Sequence, residues 1–151
     1  MTAKRLKTML LALASVAVMA PEAMAAPIPA TLYKDPSCDC CQSYANYLDQ
    51  NGFAVKVIPT DQLDLVTRMA GVPVSLEGCH TMKLGGYVIE GHVPAPMIKQ
   101  LLAQHPPITG IGIPGMPSGV PGMPAMVGMP TTQITVYEIG TAKPVVFGTV
   151  N

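Results

Sequence analysis

The sequence predicts an α/β protein in which strand-like and helix-like stretches alternate in the order β-α-β-α-β-β-α, followed by a Gly/Pro/Met-rich loop and a C-terminal β-hairpin. Three observations carry that prediction. Apolar patterns of period two and of helical period succeed one another between clear breakers. A Cys-x-x-Cys pair, Cys38 and Cys41, lies where a strand gives way to a helix. The length, 151 residues, suits one hydrophobic core and leaves no room for a second catalytic domain.

Residues 1–25 stand apart from that core. Lys4, Arg5 and Lys7 precede an apolar run from Met9 to Ala20, and small residues close it at Ala23-Met24-Ala25. A basic start, a run too short to span a bilayer and an A-x-A site describe a secretory signal peptide cleaved after Ala25. A retained membrane anchor would need about 20 apolar residues, and nothing after Ala25 prolongs the run.

Residues 26–109 hold the main domain. Ala30 to Lys34 reads as a strand broken by Asp35-Pro36-Ser37. From Asp39, the helical spacing of Tyr44, Tyr47 and Leu48 runs to the stop at Asn51-Gly52, and Phe53 to Ile58 alternates as a second strand. Pro59-Thr60-Asp61 opens a helix with Leu63, Leu65, Val66 and Met69 on its apolar side, ended by Gly71. A short strand is expected after Val72-Pro73, and another at Gly86 to Glu90. Pro94 and Pro96 start a last helix through Ile98, Leu101 and Leu102, stopped at His105-Pro106-Pro107. Residues 110–130, rich in Gly, Pro and Met, read as a loop that excludes helix and central strand. Residues 131–151 read as a strand pair, Gln133 to Ile139 and Pro144 to Val150, joined around Gly140-Thr141 and added to a sheet edge.

Charge narrows the function. The whole chain balances nine basic against nine acidic residues. Removing residues 1–25 takes three basic residues and Glu22, which leaves 9 − 3 = 6 against 9 − 1 = 8. A mildly acidic chain with few aromatics has no basic patch for a phosphate backbone, so nucleic-acid binding is excluded.

All four cysteines follow the signal. Three of them crowd into Cys38-Asp39-Cys40-Cys41, too tightly for each to reach its own distant structural partner. At a helix start, free backbone N–H groups and the helix dipole lower a thiol pKa and make thiolate available. A dithiol redox site needs two sulfurs, whereas three clustered thiolates suit a soft metal. Val72-Pro73 falls where thioredoxin-like folds hold a cis-proline beside their Cys-x-x-Cys, so the following Cys79-His80 pair is expected to complete a shared site. His92, at a strand-to-helix corner, is as readily a packed histidine as a ligand. His105 is expected in solvent, and Glu90 reads as an acceptor that supports a ligand or, more commonly for its type, as an exposed strand carboxylate. Met116, Met123, Met126 and Met129 offer thioether sulfur but read more simply as side chains pinning the loop. Met82, two residues beyond His80, is by proximity alone a better ligand candidate than any of these.

Cys38-x-Cys40-Cys41, Gly71-Val72-Pro73, Gly78-Cys79-His80-Thr81, Gly86 to Ala95 and Pro114-Gly115-Met116-Pro117 together resemble the signature blocks of the CopG-type periplasmic copper-resistance proteins, long catalogued as a domain of unknown function. Asp39 departs from that pattern, standing where glycine is expected; its charge favours bound cations and raises thiol pKa values. The resemblance implies a thioredoxin-like domain whose Cys38, Cys40, Cys41 and Cys79 hold Cu(I) through sulfur, with His80 as nitrogen ligand and a multinuclear thiolate-bridged cluster as one arrangement. It also implies a place among other periplasmic copper-handling proteins. Zinc is the competing metal, but adjacent Cys40-Cys41 closes a single tetrahedron less easily than it bridges several Cu(I) ions. The other reading is a thiol-disulfide oxidoreductase in which Cys38 or Cys41 attacks a disulfide and its partner resolves it. Whether the chain is an enzyme, through thiol or copper redox chemistry, stays open on sequence alone.

Overall fold

The computed structural model describes residues 26–123, 130 and 132–150. The expected signal peptide, Met126 and Met129 lie outside the described residues. The elements are β1 (Ile28–Lys34), α1 (Asp39–Gln50), β2 (Phe53–Pro59), α2 (Leu63–Met69), a 3-10 turn (Val74–Leu76), β3 (His80–Leu84), β4 (Tyr87–Glu90), α3 (Ala95–Gln104), β5 (Gly110–Gly112), β6 (Ile134–Ile139) and β7 (Val146–Val150). No helix among them is long and apolar enough to cross a membrane.

One seven-stranded sheet runs in the order β2-β1-β3-β4-β5-β6-β7. The β1-α1-β2 unit is parallel; β3 returns antiparallel beside β1 and forms a hairpin with β4. This arrangement is the predicted α/β order as far as α3 and is compatible with a thioredoxin-like domain. The C-terminal strand pair β6–β7 is antiparallel, as expected, and joins the sheet through β5.

Neighbouring residues on β4 show how the layers form. Ile89 belongs to the main core with Tyr44, Ala45 and Leu48 of α1 and Ile98 and Leu101 of α3. Val88 points the other way, into a smaller core with Ala70, Val72, Leu76 and Ile139. A strand covered on both faces buries successive side chains, and Val88, Ile89 and Glu90 are all buried. Glu90 is therefore not the exposed strand carboxylate expected; its exposure is 0%.

Three further expectations are corrected. The segment after Val72-Pro73 is a 3-10 turn and the next strand starts only at His80; the isomer of Pro73, which the sequence leaves open, is trans. The inner face of α2 carries Leu63 and Thr67, while Leu65 and Met69 are exposed at 48% and 78%. Most informative is β5, a central strand inside the segment expected to be loop. A Cβ on Gly110 would stand 1.8 Å from the Val88 carbonyl oxygen, so only glycine lets the two backbones approach this closely. The residue type that reads as a loop-former is here the condition for strand pairing.

Candidate metal centre

Cys38 is the N-cap of α1 and Cys40 and Cys41 occupy its first turn. Cys79 arrives from across the sheet, on the residue before β3, and its carbonyl accepts the Asp35 N–H at 3.0 Å. The four sulfurs lie within 4.8 Å of one another. Cys38 and Cys41 form a disulfide, and Cys40 and Cys79 are free thiols. Cys79 Sγ is 3.1 Å from Cys38 Sγ and 3.3 Å from Cys41 Sγ, and Cys40 Sγ is 3.4 Å from Cys38 Sγ. Burial, and then the neighbouring Cys40 thiol, push the Cys79 thiol up to about 11, so it carries its proton near neutral pH.

Beneath the sulfurs lies a second donor group. Cys41, His80 and His92 bring one sulfur and two ring nitrogens within 4.8 Å of one another, and all three residues are buried. Since a carbonyl only accepts, the 3.1 Å contact of His80 Nε2 with the Gly91 carbonyl puts the proton on Nε2. By the same argument the 2.7 Å contact of His92 Nδ1 with the Pro121 carbonyl puts its proton on Nδ1. The other nitrogens, His80 Nδ1 and His92 Nε2, are left with bare lone pairs, buried and without a partner.

Burial, followed by the charge of His92, holds His80 down to about 3, and burial lowers His92 too, so both are neutral near pH 7. Neutral imidazoles, each anchored by a backbone carbonyl through one nitrogen and free at the other, are in the state a metal needs. The Tyr44 ring packs against both, with centroids 5.1 Å from His80 and 4.7 Å from His92, and its hydroxyl donates to the Val93 carbonyl at 2.8 Å.

Behind Cys79 sits a buried polar group. Glu90 accepts the Gly78 N–H and the Thr81 hydroxyl, each at 2.8 Å, and the Thr67 and Thr81 hydroxyls are 2.7 Å apart. Burial raises the Glu90 carboxyl to about 7 against these hydrogen bonds. On the outer side, a cleft of about 470 Å³ lined by Asp35, Asp61, Asp64, Glu77 and Cys79 opens beside the thiol, and its acidic walls favour the approach of cations.

The structure thus brings together Cys38, Cys40, Cys41, Cys79 and His80. It adds His92, which the sequence left undecided, and Tyr44, which was read only as helix core. His105 is the exposed C-cap of α3, apart from the site. Met82 is fully buried in the main core, Met123 is partly buried against it, and Met116 is 42% exposed. The loop reaches the site by its backbone: Pro121 holds His92, and a Cβ on Gly122 would stand 2.6 Å from the Tyr44 nitrogen.

The donor set fits a soft metal. Sulfurs and neutral imidazoles outnumber oxygen donors, and the two orphaned nitrogens otherwise carry an unexplained burial cost. A family model described as a protein of unknown function, DUF411, matches residues 76–123. No curated protein matches the sequence. Among solved structures the chain is similar to "Copper resistance protein copG- Form 2", at 31% identity and a TM-score of 0.73, covering 83% of this chain and 99% of that one. It is equally similar to "Copper resistance protein copG- Form 1", at 31% identity and 0.73, covering 82% and 98%.

Proposed function

The chain belongs to the CopG family of copper-resistance proteins, and from that premise we propose that it is a periplasmic copper(I)-binding protein of copper resistance or homeostasis. Residues 1–25 act as its export signal. Cys38, Cys40, Cys41 and Cys79 supply thiolates, and His80 and His92 supply Nδ1 and Nε2. The observation that carries this reading is a pair of buried histidines, each with one unpartnered ring nitrogen, grouped with a sulfur that also belongs to the four-cysteine group. Cu(I) takes sulfur and imidazole donors at low coordination number, so it suits both groups; zinc suits a single closed tetrahedron less well here.

Two ligands are tied up in the Cys38–Cys41 bond. Full loading therefore needs an external dithiol that gives this bond two electrons and is itself oxidised to a disulfide, leaving Cys38 and Cys41 as thiols that lose their protons to the metal; metal binding is thereby coupled to thiol redox state. Whether copper is stored or passed to another periplasmic copper-handling protein, the same donors are used.

The Cys38–Cys41 disulfide at a helix start also favours a second reading, a thiol-disulfide oxidoreductase. Cys40 and Cys79 count against it, because thiols within 3.4 Å of the disulfide would capture its mixed disulfides.

Metal content and free thiols, measured on mature protein reduced and loaded with Cu(I) without oxygen, decide between the two. The copper reading expects bound copper that a Cys38→Ser, Cys40→Ser, Cys41→Ser variant loses, and more than one ion per chain indicates a thiolate-bridged cluster. Wild-type protein that stays metal-free while exchanging with a test disulfide would replace it with the oxidoreductase reading.

A further inference from the structure

Glu90 is a carboxylate without exposed surface, and the ligand set above does not use it. Such a group is costly to bury unless its oxygens are occupied, and what occupies them is specific. Oε1 accepts from Gly78, the residue before Cys79, and Oε2 accepts from Thr81, the residue after His80. One side chain thus grips the Cys79-His80 pair from both ends.

The grip is braced on two further sides. Thr81 faces Glu90 in the β3–β4 register, and its hydroxyl, whose proton goes to Glu90, packs 2.7 Å from the hydroxyl of Thr67 on α2, which donates to the Leu63 carbonyl. A Cβ at Gly78 would stand 3.3 Å from Oε1, so the loop lies close against the carboxylate. Cys79 itself precedes β3 and is held to the β1 side by one backbone bond, its carbonyl accepting from Asp35; Glu90 supplies the restraint on the other side.

We propose that Glu90 is a positioning residue, which by bridging Gly78 and Thr81 holds the Cys79 thiol against Cys38 and Cys41 and sets the strand start from which His80 projects. The metal consequence rests on the copper-binding reading; the consequence for the Cys79 thiol does not. Glutamine can repeat the bridge, its amide oxygen accepting from Gly78 and its NH₂ donating to the Thr81 oxygen. Alanine leaves the Gly78 N–H and Thr81 hydroxyl without their acceptor.

The test uses reduced mature protein as wild type, Glu90→Gln, Glu90→Ala and Thr81→Val. It follows site-resolved alkylation of Cys79 and Cys40 without metal, and retention of Cu(I) against a competing chelator. Glu90→Ala is expected to speed Cys79 alkylation about tenfold and to weaken copper retention by about 10- to 100-fold. Glu90→Gln should stay within about threefold of wild type on both measures, and Thr81→Val, which cuts one of the two bonds, should fall between. Cys40, carried by α1, should react at the wild-type rate throughout; a parallel rise there would mean general loosening and overturn the proposal.

So would a folded Glu90→Ala with wild-type Cys79 reactivity, or a Glu90→Gln as impaired as Glu90→Ala. Should Glu90→Ala not fold, wild-type Cys79 reactivity in Thr81→Val overturns it. If wild type holds no copper, the copper reading fails and Cys79 alkylation still decides the role of Glu90.

Discussion

His92 is the residue on which the sequence and the three-dimensional arrangement differ most in what they say. In the chain it is one histidine between a strand and a helix; in the fold it is grouped with Cys41 and His80, and its Nε2 is buried and unpartnered. No local pattern announces this, because the partners come from residues 41, 80 and 121. His92→Ala should lower Cu(I) affinity by at least about tenfold while leaving the four-sulfur group intact, read by chelator competition.

Titration of the metal-free protein with the Cys38–Cys41 bond closed gives a second expectation. His80, with a folded pKa of about 3 against an ordinary 6.5, contributes stability that is present above pH 6.5 and lost as pH falls toward 3, and His92 acts in the same direction. Glu90, raised from 4.5 to about 7, contributes stability that is present below pH 4.5 and lost as pH rises through 7. Between pH 4.5 and 6.5 the carboxyl opposes the imidazoles. Glu90→Gln removes that opposition, so its unfolding free energy should fall more steeply on acidification than that of wild type, by about 1.4 kcal/mol per pH unit in denaturant titrations.

At the scale of elements, the amphipathic pieces were legible and the polar or glycine-mediated contacts were not. β1, α1, β2 and α3 follow from apolar period and breakers, because their buried faces are made of apolar residues. The inner face of α2 escaped that reading because it rests on a hydroxyl pair, Thr67 with Thr81. β5 escaped because Gly110 serves a strand by what it lacks. Gly110→Ala should cost more than about 3 kcal/mol of stability, measured by urea unfolding, since the clash is with backbone that cannot give way. Gly122→Ala is expected to act differently. Its φ of 78° and its closeness to Tyr44 mean a methyl there lifts the loop from α1 and loosens the Pro121–His92 bond, so copper retention should drop before global stability does.

The molecule as a whole presents its donors from α1 and from the β3 and β4 ends, with the loop holding His92 through Pro121, so metal binding should stiffen contacts distant in sequence. Cu(I) at a hundredfold excess over its dissociation constant should raise the melting temperature of the reduced protein by roughly 10 °C. The oxidised protein should respond far less, and differential scanning calorimetry on both forms checks this. The cysteine cluster and the Cys79-His80 pair were readable because their motifs are compact. The link between them was not, since it depends on which strand lies beside which.

Cys41 is the one residue common to the two donor groups. A single covalent bond to Cys38 therefore removes two of four sulfurs from the upper group and the one sulfur from the lower, leaving two imidazoles facing a closed disulfide. The two groups do not open independently. A pair of electrons arriving at one sulfur–sulfur bond returns a donor to each in the same event, so the protein answers the redox state of its surroundings as a latch with two doors on one bolt.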